Sequence, residues 1–313
     1  LISYLKPEVI DRILTEFSIE VYTSWMPTLK LTDGRFLEYF DNGIASTSAI
    51  VFHHGTPGHG HAWVTWLELC AARGIRALSY SRAGYGISDR NEGRTVVANN
   101  SDIRELLDSF GIRDFISIGW SGGGPHALAT TTLQGSKGAI TLAGVGAYGV
   151  DDLDFLAGMG PENEEEFGEA LKGEAAISSW MDANAGAFKN VTGDQIRESF
   201  GGLISDADKA VINGDFAEEM ATTMRKGLAV SFDGWIDDDI AFIQPWGFDI
   251  SAINLPVLIW QGDQDLMVPH AHSYWLEKHI PTGKLNFVPG HGHVSLIVKY
   301  SNEILDQAQE LLK

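Results

Sequence analysis

Phe115-Ile116-Ser117-Ile118-Gly119-Trp120-Ser121-Gly122-Gly123-Gly124-Pro125-His126-Ala127-Leu128-Ala129 is the stretch that decides the fold. Its first four residues form a short apolar run, the sign of a buried strand. Its last six read as a helix start. Between them, Gly119-Trp120-Ser121-Gly122-Gly123 matches G-x-S-x-G. A serine on so sharp a strand-to-helix turn requires small neighbours two residues before and after it. The turn also puts Ser121 at a helix N-terminus, where backbone N–H groups and the dipole favour developing negative charge. In a chain with 35 glycines the motif alone is weak. Its strand–turn–helix setting gives it meaning.

Working outward, similar short apolar runs recur: Ala49–Phe52, Ile75–Tyr80, Ala139–Ala143, Val257–Trp260 and Lys284–Val288. Amphipathic stretches separate them. Thr95–Phe110 places Ile103, Leu106, Leu107 and Phe110 on one face, and Ser295–Leu312 closes the chain in the same way. Near-continuous apolar strands alternating with helices predict a mostly parallel, doubly wound α/β sheet covered on both faces. Leu29–Thr32 and Arg35–Phe40 instead alternate with period two about Asp33-Gly34, which predicts a hairpin. About eight strands result.

The 313 residues carry 22 Lys+Arg against 42 Asp+Glu, a formal net charge of −20. That excess argues against nucleic-acid partners and against docking on anionic membranes. No apolar run approaches the length of a membrane span. The charge is uneven: residues 151–240 hold 21 Asp+Glu and 6 Lys+Arg, the remaining 223 residues 21 and 16. An acidic helical unit, with helix formers in Glu162–Lys172 and Phe216–Lys226, is thus expected after the sixth strand. The host is 1–150 and 241–313, with 1–25 as an N-terminal helical extension. Leu1–Tyr22 lacks the apolar region of a signal peptide, so a cytoplasmic location is expected. A lone Cys70, within Trp66-Leu67-Glu68-Leu69-Cys70, allows no intrachain disulfide and reads as a small core residue.

Two further strand ends carry chemistry. Val257–Trp260 leads to Gln261-Gly262-Asp263-Gln264-Asp265-Leu266-Met267-Val268-Pro269, and the last strand leads to Pro289-Gly290-His291-Gly292-His293. Serine, acid and histidine in this order resemble the α/β-hydrolase family. Further motifs extend the resemblance over Leu29 to the C-terminus, the acidic unit apart. His54-Gly55-Thr56-Pro57-Gly58 resembles the H-G-x-P-G loop of that family. Ser81-Arg82-Ala83-Gly84-Tyr85-Gly86-Ile87-Ser88-Asp89 resembles its D-R-P-G-Y-G-x-S scaffold element, departing at Ser81 and Ala83. The family's G-x-x-D-x-x-V-P falls on Gly262, Asp265, Val268 and Pro269, which favours Asp265 over Asp263; P-x-x-G likewise favours His293 over His291.

The resemblance implies a catalytic triad of Ser121, Asp265 and His293, an oxyanion hole from the backbone N–H groups of Thr56 and Gly122, and His54, Gly55, Gly119 and Gly123 as loop and elbow support. It implies that 151–240 is a cap, and that neither cofactor nor metal is needed. The partner is a small-molecule substrate. Aspartate at the elbow marks dehalogenases and epoxide hydrolases, and Ser121 excludes those chemistries. Hydrolysis of a carboxylic ester of a small to medium, uncharged substrate is the leading expectation. Lactonase, thioesterase and carbon–carbon bond hydrolase remain, as does a proline iminopeptidase-like aminopeptidase whose cap carboxylates hold an α-amino group. Those aminopeptidases usually carry Trp after the serine, and here Gly122 follows. A non-catalytic ligand-binding protein is a further alternative, but such proteins often lose a triad member or an elbow glycine.

Other signals have plainer readings. Gly144-Val145-Gly146-Ala147-Tyr148-Gly149 matches G-x-G-x-x-G, but follows the sixth strand rather than opening the first βα unit. His53, His54, His59 and His61 belong to the loop rather than to a metal cluster. His126, His270, His272 and His279 read as surface or helix histidines, and Asp237-Asp238-Asp239 as a solvated loop. Asp151 and Asp152 are a second possible position for the acid. Phe155, Phe167, Trp180, Phe188, Phe200, Trp235, Phe242 and Trp246 read as packing of the acidic unit, or as the lining of a pocket beneath it.

Overall fold

Alternation along β3 (Ser48–His53) sorts the two layers of the molecule: Ile50 and Phe52 face one way, Ala49 and Val51 the other. The computed structural model describes residues 27–313, so the expected helical extension over 1–25 and the Leu1–Tyr22 stretch lie outside the described residues. The remaining strands are β1 (Thr28–Lys30), β2 (Phe36–Asp41), β4 (Ala77–Tyr80), β5 (Asp114–Trp120), β6 (Ser136–Leu142), β7 (Val257–Gly262) and β8 (Gly283–Val288). They form one sheet in the order β1-β2-β4-β3-β5-β6-β7-β8. The expected hairpin pairs Lys30 with Phe36, and Gly34 supplies the positive φ (+98°) of its turn. From β4 to β8 every pairing is parallel.

One face is covered by α1 (Val64–Ala72) and α11 (Ser295–Leu311), which pack Trp66, Cys70, Leu296 and Leu305 against Ile50, Ile118 and Leu142. Cys70 is fully buried there, and burial pushes its thiol up to about 12. The other face is covered by α2 (Asn99–Ser109), α3 (Gly123–Ala129) and α10 (Ala271–His279). The amphipathic α2 starts later than the expected Thr95, because residues 95–98 form turns first. The chain moves from β3 out to β4 and then across to β5. The switch point therefore lies between β3 and β5, where open α/β sheets hold their ligands.

Six helices lie between β6 and β7: α4 (Pro161–Ala170), α5 (Glu174–Asn184), α6 (Gly193–Ser199), α7 (Asp206–Val211), α8 (Gly214–Gly227) and α9 (Asp233–Phe242). They build two apolar clusters that also take in residues of the sheet layer. Val294 joins Ile196, Met220 and Met224; Tyr85 joins Ile177, Met181 and Trp235. Asp237, Asp238 and Asp239 correct the sequence expectation. They lie on α9 and are buried, not in a solvated loop. Arginines allow two of them to be buried: Asp237 pairs with Arg90 at 2.8 Å, and Asp238 with Arg82 at 2.6 Å and Arg94 at 2.7 Å. Among the described residues no helix is long and apolar enough to cross a membrane.

Candidate active site

The carboxyl ends of β3 to β8 deliver the expected residues to one edge of the sheet. Ser121 follows β5 directly and adopts φ +55°, a left-handed conformation that a residue with a Cβ tolerates only when its surroundings enforce it. Its N–H donates to the Leu142 carbonyl at 2.8 Å, and its carbonyl accepts from Gly124 at 2.9 Å. The neighbouring glycines are required sterically. A Cβ on Gly119 would run into the Gly123 carbonyl, and one on Gly123 would meet the His53 and His54 carbonyls.

Asp265 is buried and fully committed. Its Oδ1 accepts from the N–H groups of Met267 (3.0 Å) and Val268 (2.8 Å); its Oδ2 accepts from Gln261 Nε2 (3.1 Å) and faces His293 Nδ1 at 2.8 Å. Because the carboxylate accepts, the ring proton sits on Nδ1 and the lone pair on Nε2. Asp263 is exposed and accepts from the Gly290 N–H, while His291 packs edge-on to Tyr300. Neither alternative residue joins this pair. Asp152 is on the surface and bonds to Trp275, Lys278 and His279.

Ser121 and His293 line the same cavity, together with Trp120, whose ring lies 5.4 Å from the His293 ring and whose Nε1 donates to the His293 carbonyl. No hydrogen bond joins Ser121 Oγ to the imidazole among the described residues. Such contacts often tighten only when substrate arrives. Neither the Thr56 nor the Gly122 N–H donates to another group among the described residues, so both remain available beside Ser121.

The Thr56 loop is held from below by a buried charge centre. Arg82 donates to the carbonyls of His54 and Gly55 and to Thr56 Oγ1; Thr56 Oγ1 donates to Asp238 Oδ2 at 2.6 Å, and Tyr85 adds a bond at 2.9 Å. Burial works to raise the Asp238 carboxyl, but the charges of Arg82 and Arg94 outweigh it and hold it well below the carboxylate range. His54 Nδ1–H donates to the Gly55 carbonyl, so its Nε2 accepts from the Arg82 N–H. Burial and then the Arg82 charge keep His54 neutral.

Two further histidines near the loop have polar partners. His53 bonds Tyr80 and Ser117, and His59 pairs with Glu38 at 2.9 Å. Among the described residues no three His, Cys, Asp or Glu side chains form a group able to hold a metal. His126 and His272 are helical as expected but fully buried; His272 Nδ1 accepts from the Gly146 N–H, tying the Gly144–Gly149 loop to α10. Sequence reasoning missed Asp208, a buried residue of α7. Its carboxylate accepts from the N–H groups of His293 (3.0 Å), Val294 (2.9 Å) and Ser295 (2.7 Å). Only its place in Ser205-Asp206-Ala207-Asp208, a helix-start pattern, marks it locally.

Two cavity lobes meet at Ser121, Thr56, Pro57 and Met267. The smaller is mostly apolar and is lined by His293 and by Phe216, Met220 and Met224 of α8, with Glu219 of the same helix as its carboxylate. The larger, about 270 Å³, is lined by Gly122, Phe167, Trp180, Phe188, Trp235 and Phe242, and also by Glu166 and Asp239. Of the aromatics noted in and near 151–240, Phe155 and Trp246 line neither lobe and pack into the sheet layer.

Known proteins are similar to this chain in sequence and in fold. The non-heme haloperoxidase of Rhodococcus erythropolis is 26% identical over 253 residues, covering 79% of this chain and 85% of the relative. A non-heme chloroperoxidase of Burkholderia pyrrocinia is 24% identical over 281 residues, covering 87% and 95%. Among solved structures, a bromoperoxidase from Bacillus anthracis has a TM-score of 0.66 at 21% identity, covering 92% of this chain and 99% of that one. A thermophilic esterase from Thermogutta terrifontis has the same TM-score at 17% identity and the same coverage. The family model of the alpha/beta hydrolase fold matches residues 48–300, and the chain belongs to that family.

Proposed function

We propose that this alpha/beta hydrolase is a serine esterase that works through an acyl-enzyme. The observation that carries the reading is the buried Asp265–His293 hydrogen bond beside the cavity that Ser121 also lines. Ser121 Oγ attacks the ester carbonyl carbon as His293 Nε2 takes its proton. Asp265 holds the tautomer and stabilises the imidazolium. The developing oxyanion accepts from the N–H groups of Thr56 and Gly122, each worth roughly 2.7–4 kcal/mol of barrier in serine hydrolases. His293 then gives its proton to the departing alcohol, and water, activated by the same imidazole, releases the acid.

Residues 151–240 act as the cap. The leaving group must sit near the imidazole that protonates it, so it takes the apolar lobe with His293. The acyl chain takes the larger lobe beside Gly122. Hydrolysis of p-nitrophenyl acetate and butyrate, with proline p-nitroanilide in parallel, tests the reading on wild type and Ser121→Ala. Ester hydrolysis should fall by about 10⁴-fold or more in the variant. Activity surviving the substitution rules out the mechanism, and cleavage of the anilide alone moves the assignment to an aminopeptidase. The relatives named haloperoxidases favour a second reading. Hydrogen peroxide attacking the same acyl-enzyme in place of water would release a peroxy acid able to oxidise halide. Peroxide-dependent bromination of monochlorodimedone in acetate buffer, lost in Ser121→Ala, is its signature.

A further inference from the structure

The helix α9 touches both residues whose N–H groups serve the oxyanion. Asp238 accepts from Thr56 Oγ1, and Phe242, one turn further along, packs on Gly122, where an added Cβ would meet both Thr56 Oγ1 and Phe242 Cζ. The Thr56 N–H shares a planar trans peptide with the Gly55 carbonyl, so the two point in opposite directions. Fixing the carbonyl therefore aims the N–H. Two donors fix it, Arg82 Nη2 at 2.8 Å and His54 Nδ1 at 2.7 Å. Arg82 also donates to the His54 carbonyl and to Thr56 Oγ1, so one guanidinium holds three consecutive residues of the loop. That loop runs against the nucleophile: a Cβ on Gly55 would lie 3.4 Å from Ser121 Cβ.

The guanidinium is held in turn by Asp238, 2.6 Å from Nη2, with both side chains fully buried. An ion pair between an insertion and its host ordinarily serves only to dock the two. This one ends on the peptide that carries a catalytic donor. The Thr56 hydroxyl bridges the two charges, accepting from Arg82 at 3.0 Å and donating to Asp238 at 2.6 Å. We propose that Asp238 is a positioning residue for the oxyanion hole, aiming the Thr56 N–H beside Ser121 through Arg82 and the Thr56 hydroxyl. The role of that N–H rests on the esterase reading; the pinning of the Gly55 carbonyl does not. An oxyanion donor acts on charge that develops in the transition state, so a misdirected N–H costs rate while ground-state binding changes little. Loosening this peptide lowers kcat and leaves KM nearly as it was.

Thr56→Val keeps the shape and the backbone N–H but removes the hydroxyl that joins the loop to α9, and Thr56→Ser restores it. With p-nitrophenyl butyrate, kcat should fall by roughly tenfold or more in Thr56→Val while KM stays within about twofold of wild type. Thr56→Ser should recover most of the loss, and Asp238→Asn should lower kcat in the same way. Thr56→Val leaves Asp238 with Arg82, Arg94 and Tyr85, so it decides the matter even where Asp238→Asn fails to fold. An unchanged kcat in Thr56→Val, a loss confined to KM, or a loss that Thr56→Ser does not repair overturns the proposal. Labelling by a fluorophosphonate measures the same donor without ester turnover. Ser121 Oγ forms the bond to phosphorus, fluoride leaves with the electron pair, His293 takes the serine proton, and the phosphoryl oxygen occupies the oxyanion hole. In a protein that cleaves no ester the esterase reading falls, and a labelling rate roughly tenfold lower in Thr56→Val still supports the aiming of the N–H. Ester cleavage lost in Ser121→Ala but equal in Thr56→Val and wild type keeps the esterase reading and removes the role of Asp238.

Discussion

Glu166 and Asp239 place two carboxyls in one buried wall, and the fold bears the cost of that arrangement. Burial pushes Glu166 up from its ordinary 4.5 to about 7. A group raised in the folded state contributes stability that is present below its ordinary value and is lost as pH rises through the folded one. Glu166→Gln removes that titration, and its amide can donate to the neighbouring Asp239 in place of a carboxyl proton. The variant should therefore gain stability over wild type as pH rises from 4.5 to 7, by about 1–3 kcal/mol at the upper end. Thermal melts of both proteins across this range check it, and parallel curves would refute the strain. At this scale the sequence was unevenly informative. Ser121, Asp265 and His293 were legible because each sits at a fixed offset from a strand end, amid glycines and a proline whose spacing only a special turn requires. Glu166 was not, because Glu164-Glu165-Glu166 on a helix has the pattern of a solvated face until the opposing helix is known.

Two short elements of the insertion hold the candidate site from outside, and both do so with a carboxylate. On α7, Asp208 accepts three consecutive N–H groups, including that of His293, at the start of α11. It thereby satisfies the orphan donors of a helix N-terminus and fixes the backbone that carries the imidazole. On α9, Asp238 does the same for the Thr56 loop through Arg82. Asp208→Asn keeps the shape but removes charge and acceptor capacity. It should cost about 1.5–3 kcal/mol of stability and lower kcat more than it raises KM, because the substrate lobes are untouched while His293 loosens. Urea unfolding and steady-state kinetics on p-nitrophenyl butyrate separate these; an unchanged kcat would show that His293 is held without α7. Element order, strand edges and the helical character of 151–240 could be read from periodicity and composition. What could not be read was how that insertion grips the sheet layer, since bonds such as Asp238–Arg82 join residues 156 apart and leave no local pattern.

At the scale of the molecule, the charge of −20 resolves into two populations. Of the 21 acidic residues in 151–240, Glu166, Asp208, Asp237, Asp238 and Asp239 are buried. Asp208, Asp237 and Asp238 are spent on N–H groups or arginines of the sheet layer, so they add little to the external field. Most of the others are at least partly exposed on the helices around the cavity, where low-dielectric walls focus a negative potential. That potential acts on substrate before any contact forms, and salt screens it over roughly 8 Å at physiological ionic strength. An anionic ester should thus show a low kcat/KM at low salt that rises as salt is added. A neutral ester of the same size should be nearly indifferent, and a cationic acyl ester should fall with salt. Measured from about 10 mM to 0.5 M sodium chloride, the three slopes should differ in sign. If the anionic and neutral esters react equally fast at low salt, the exposed acids face bulk water and take no part in selecting substrate.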